Sequence, residues 1–172
     1  MEIAQTRHIY VGFSKSHSPG LISKLQMRVF RIDFSHMYVC FELGGVKLVA
    51  HAIGKGVVVQ LFSEFKKRRT PMHEFLIRLL PQQFNDFLLK AFSTVGQKYG
   101  TREMLGCGVM AVFGLSKNPF ENKEETYCSE YGRVLLSAAG VLLGEQEDLP
   151  PAKAFILMLA LAKNAPHIEK IK

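Results

Sequence analysis

Gly44-Gly45 divides two segments rich in β-branched and aromatic residues, "SHMYVCFEL" before it and "VKLVAHAI" after it. Two consecutive glycines between such runs signal a two-residue β-hairpin, because that turn needs φ > 0 at both central positions. A turn this short also fixes register. Leu43 then faces Val46, Tyr38 lies opposite His51, and His36 lies opposite Ile53. Side chains alternate faces along a strand, so His36, Tyr38 and His51 share one face. His36 and His51 become diagonal neighbours, about 7 Å apart at the backbone and closer at the rings.

The rest of the chain arranges itself around this hairpin. "HIYVGFS" at His8 to Ser14 reads as a strand, and "SPGLISKLQMRVF" as a helix with Ser18 as N-cap and Pro19 in the first turn. Gly54-Lys55-Gly56 marks a second hairpin, with strand character continuing into "VVVQLFSEF", and "HEFLIRLL" reads as a further strand. Pro81 opens a helix on which Phe84, Phe87, Leu88, Ala91, Phe92 and Val95 recur at helical spacing, stopped by Gly96 or Gly100. Thr101 to Gly114 reads as helical and Gly-rich, followed by the loop "LSKNPFENKEET". A helix then runs from Cys128 to about Gly144, and "DLPPAKAFILMLALAKN" supplies the last one. With 172 residues, 48% hydrophobic content and no repeat or linker, the expectation is one domain over 1–172. The class is α+β, an antiparallel sheet packed on a cluster of helices.

Three cysteines at long, irregular spacing, Cys40, Cys107 and Cys128, suggest neither a disulfide framework nor a structural zinc site. No cofactor motif is found. The start "MEIAQTRHIYVGFSK" lacks a basic stretch followed by an apolar run, so the expected compartment is the cytoplasm. The most apolar late segment, "AFILMLALA", is far shorter than the ~20 residues a spanning helix needs. A formal charge of +7 permits an anionic partner. Its densest run, "KKRR" at Lys66 to Arg69, has no aromatic interleaving and reads as a solvated loop, which makes nucleic acid an unlikely partner.

Cys128 stands between a charged, turn-like segment and an apolar helix. Asn122, Glu125 and Thr126 offer capping chemistry upstream, which sets Cys128 in the first turn. There the helix dipole and unpaired N–H groups favour a thiolate and form a ready oxyanion hole. Glu125 and Glu130 oppose this and would have to point to solvent. A thiol nucleophile needs an imidazole for its proton and a polar group to orient that imidazole. His36 and His51 offer both. The bland alternatives stand beside this: a lone strand histidine is usually structural, and a cysteine is often simply buried. A histidine pair can also bind metal, but no third ligand lies close in sequence. Cys40 is about 13 Å along the strand from His36, too far to serve it. Cys107, between two glycines, reads as a packing choice.

The strings "SHMYV", "VAHAIGKGVVVQLFSEF", "VGQKYG" and "TYCSEYGRVLL" resemble the circularly permuted NlpC-type papain-like cysteine hydrolases, the YiiX-like group. The resemblance covers about residues 8 to 140. In that group the histidine strand precedes the cysteine helix, as it does here. The resemblance implies a permuted papain-like fold with Cys128 as nucleophile, His36 as base and His51 as the third member. At the last position the family often has a glutamate before an alanine, and this chain has a histidine. It further implies hydrolysis of an amide or related acyl bond through a covalent acyl-enzyme, without cofactor or metal. The substrate would be an amide- or acyl-containing molecule such as a peptidoglycan peptide or a lipid-linked acyl group. The Asn-Cys-Glu-His motif of the lecithin retinol acyltransferase type is missing, which disfavours the lipid option. Cell-wall work from the cytoplasm would need release by a phage, an effector route or lysis. The competing expectation, from another class, is a non-catalytic basic module on the same fold that binds nucleic acid or an anionic surface.

Overall fold

The computed structural model describes residues 7–102, 104–106, 109, 120, 125–144 and 149–172. Its elements in chain order are β1 (Arg7–Ser16), α1 (Leu21–Phe30), β2 (His36–Leu43), β3 (Val46–Ile53), β4 (Gly56–Leu61), α2 (Phe62–Lys66), β5 (Arg69–Leu79), α3 (Pro81–Ser93), α4 (Cys128–Ala138), α5 (Pro151–Asn164) and β6 (Ile168–Lys170). The six strands form one antiparallel sheet in the order β4-β3-β2-β1-β5-β6. The fold is α+β, as the element order implied.

Gly44 and Gly45 both have positive φ, 59° and 77°, and Leu43 pairs with Val46, so the short hairpin and its register hold. The second hairpin turns at Gly54-Lys55, with Ile53 paired to Gly56. The β2–β3 ladder ends at Val39↔Ala50. His36 to Tyr38 and His51 to Ile53 therefore lie where the two strands part.

The two faces of the sheet carry different loads. Met37, Val39 and Phe41 join the main core with Phe84 and Phe87 of α3, Tyr131, Leu135 and Leu136 of α4, and Met158 of α5. Tyr38, Cys40 and Val49 form a smaller cluster on the other face with Phe65 of α2. Helices were expected on one side only. The five-residue α2 is the correction: "FSEFK" was read as strand, but the chain turns there and drops Phe65 onto the histidine face. Two boundaries also move. α1 starts at Leu21 with Gly20 as N-cap rather than Ser18, and α4 ends at Ala138 rather than near Gly144. The short β6, beyond the elements anticipated, pairs with β5. Cys107 and nearly all of the loop after Gly114 lie outside the described residues.

Gly12 lies between Tyr38 on β2 and Glu74 on β5. The Tyr38 ring crosses it so that the hydroxyl donates to the Glu74 carboxylate at 2.8 Å. A Cβ at position 12 would overlap the Tyr38 ring and hydroxyl. Gly12→Ala is therefore expected to cost about 3 kcal/mol through overpacking and the displaced buried hydroxyl. Chemical denaturation measures this; a loss below about 0.5 kcal/mol would mean the ring moves aside freely.

Candidate active site

His36 begins β2 and His51 sits near the end of β3. Although the ladder has already ended, their rings meet: His36 Nε2 and His51 Nδ1 are 2.9 Å apart, with the planes inclined at 79°. Phe65 forms a common wall, 5.3 Å from the His51 ring centroid and 6.5 Å from that of His36. Both histidines are buried, at 3% and 2% exposure. Burial, then the Arg69 guanidinium and His51, hold His36 well below its ordinary pKa. Burial, then Arg69, bring His51 down to about 3. Both rings are thus neutral at pH 7. One proton lies between them, and its owner decides which outer nitrogens are left basic.

Cys128 is the first residue of α4, with Tyr127 as N-cap in extended conformation. No side chain caps this helix, so the anticipated capping by Asn122, Glu125 or Thr126 is corrected for the two described residues, and Asn122 lies outside them. Thr126 instead donates its hydroxyl to the Glu130 carboxylate at 3.2 Å. Glu130 is half-buried and turned back along its own helix rather than out to solvent.

Contact with Met37 holds α4 against β2. A Cβ on Gly132 would lie 2.6 Å from Met37 Cε, so the glycine permits an approach that any other residue would hinder. One turn earlier, the backbone N–H of Met37 lies near the Cys128 sulfur and favours its charged form. Cys128 therefore sits on the Met37 side of β2, whereas His36 stacks toward Phe65 on the other side, and among the described residues no hydrogen bond joins Cys128 to either histidine.

Burial pushes the Cys128 thiol up, and this outweighs the Met37 N–H, the Arg69 guanidinium and Ser129, which pull it down. The Ser129 hydroxyl donates to the Leu149 carbonyl, so its one proton is committed away from the sulfur. The expectation of a helix-stabilised thiolate is corrected on this point: burial keeps Cys128 a neutral thiol. Cys40, like His36, lies on the opposite parity of β2 from Met37, and burial raises its thiol to about 12.

The sequence alone does not single out Arg69. Within the "KKRR" run, Lys66, Lys67 and Arg68 are exposed, as a solvated loop requires, but Arg69 is half-buried and opens β5 opposite Ser16. Its charge reaches Cys128, His36 and His51 alike. The signal available was its position as the last cation before a strand, where alternation turns every second side chain inward.

Among the described residues no group of three or more His, Cys, Asp or Glu side chains is placed to hold a metal ion. The two histidines that meet spend their facing nitrogens on each other, which does not suit a shared metal. Among the described residues, no helix is long and apolar enough to cross a membrane.

No protein-family model and no curated protein matches the chain. Among solved structures it is similar to the crystal structure of the metalloprotein yiiX from Escherichia coli O157:H7, at 21% identity and a TM-score of 0.56. The match covers 97% of this chain and 87% of that one. The likeness extends over nearly the whole of both chains and is one of fold: this chain has a YiiX-like α+β fold.

Proposed function

We propose that the protein is a papain-like cysteine hydrolase of an amide or related acyl bond, with Cys128 as nucleophile, His36 as base and His51 as the group that orients it. The observation that carries this reading is the 2.9 Å contact between His36 Nε2 and His51 Nδ1. With the proton on His36 Nε2 and donated to His51, the lone pair of His36 is on Nδ1, free to accept the Cys128 proton. As sulfur attacks the carbonyl carbon, its proton moves to His36 Nδ1. On collapse of the tetrahedral intermediate the same proton goes to the leaving amine or alcohol. Water, deprotonated by His36, then releases the acid and restores the thiol. The imidazolium formed in between is hydrogen-bonded by His51.

Because the resting pair is neutral, His36 acts as a general base rather than as half of a pre-formed ion pair. Below its lowered pKa the base is protonated and acylation stops. Above that point it is free, and the raised thiol pKa keeps Cys128 protonated through neutrality. Acylation by p-nitrophenyl acetate, followed by mass spectrometry of the intact protein and of its peptides, should place an acetyl group on Cys128 and not on Cys40. Its rate should stay flat between pH 6 and 8. No adduct on Cys128 would sink the hydrolase reading, and an inflection near the ordinary histidine pKa of ~6.5 would sink the buried general-base form of it.

A further inference from the structure

A cavity of about 180 Å³ opens beside the histidine pair. Its apolar walls are Ile53 and Phe65, and its polar lining is Ser16, His51, Gln60, Arg68 and Arg69. That lining has two guanidinium groups and no carboxylate. Arg69 is half-buried, yet it takes part in none of the three ion pairs among the described residues, Lys67–Glu64, His73–Asp33 and Arg78–Glu169. A partly desolvated cation without a counter-ion is costly. On the same cavity lies His51, whose Nε2 is fully buried and has no hydrogen-bond partner. Arg69 and His51 both line this space, and the guanidinium without an ion pair among the described residues and the unpartnered ring nitrogen lack the same thing, a hydrogen-bonding anion.

We propose that this cavity receives an oxyanion of the substrate, a carboxylate or a phosphate, bound by the Arg69 guanidinium and by an N–H at His51 Nε2. Guanidinium binds either anion in a fork. The placement has a second effect. An anion accepting from His51 Nε2–H leaves His51 Nδ1 as an acceptor, so His36 must donate from Nε2 and keep its lone pair on Nδ1. The bound anion thereby selects the tautomer in which His36 is a base. The purpose of the site rests on the hydrolase reading, whereas binding itself can be measured without it.

Full-length Cys128→Ala protein is titrated with N-acetylglycine, N-acetylglycinamide and methyl phosphate while the ring nitrogens of His36 and His51 are followed by NMR. The acid, methyl phosphate or both should bind saturably and move His51 Nε2 into the protonated, hydrogen-bonded range, and the neutral amide should not. Binding of the acid alone assigns a carboxylate, and of methyl phosphate alone a phosphate. Arg69→Gln should weaken binding about tenfold or more, since a charge-assisted pair is removed, and Arg69→Lys should recover part of it. Gln60→Glu, which introduces a repelling charge, should weaken it as well and serves if Arg69→Gln disturbs the histidine signals. Amide binding equal to acid binding, no binding of either anion, or unchanged affinity on both Arg69→Gln and Gln60→Glu overturns the proposal. Anion binding that survives while wild-type protein forms no acyl-enzyme removes the hydrolase reading and leaves the subsite standing.

Discussion

Cys128→Ala should abolish acyl transfer, by about 10⁴-fold or more, while the protein keeps its fold. Such a loss corresponds to about 5.5 kcal/mol in the barrier. Truncating one small side chain in the first turn of a helix costs far less in stability, about 1 kcal/mol. The gap between these figures makes the test clean, since rate and folding are measured on the same sample by acylation kinetics and thermal unfolding. His36→Ala should lose a comparable factor, because a neutral thiol with a raised pKa cannot attack without a base. The double variant should be hardly worse than either single one, as residues acting as a unit are not additive. If the two losses multiply, Cys128 and His36 do not act together. If neither substitution changes the rate, the non-catalytic basic module becomes the better account of the fold.

Acid should destabilise the protein earlier and more steeply than its carboxylates alone would require. His51 is brought to about 3 in the folded chain, against an unfolded value near 6.5. Between these limits the unfolded chain binds a proton that the folded chain refuses, so stability falls as pH falls. The slope approaches about 1.4 kcal/mol per pH unit for each such histidine, so His51 alone removes about 2.3 kcal/mol between pH 6.5 and 4.5. His36 is lowered too and adds in the same direction. Above pH 6.5 the contribution of both is complete and the curve should flatten. Urea unfolding at half-unit steps from pH 4.5 to 7.5 reads the slope directly. His51→Gln should reduce it by one histidine's share; an unchanged slope would show that the pair ionises as readily folded as unfolded.

The histidine pair was legible because it rests on local rules. A Gly-Gly turn sets register, period two sets the face, and neither depends on distant parts of the chain. The first-turn position of Cys128 was legible for similar reasons. Arg69 was not, because its inward turn depends on β5 beginning four residues before the segment recognised as strand, beside a bulge between Phe13 and Ser14. The thiol's ionisation was misjudged for a related reason. Helix position favours a thiolate, but burial opposes it, and burial is decided by Met37 and the sheet, neither of which is near Cys128 in sequence. α2 was missed because five residues are too few for a helical period to separate from a strand's.

The parted end of the β2–β3 hairpin also orders events in time. His36 and His51 are only 15 positions apart and can meet as soon as one hairpin closes, a microsecond-scale step. Cys128 reaches its place against Met37 only after a far longer loop has closed, and synthesis from the N-terminus delivers it after both histidines. On the hydrolase reading proposed above, an emerging chain would carry its base well before its nucleophile, and activity would wait for the helix that begins at Cys128 to dock.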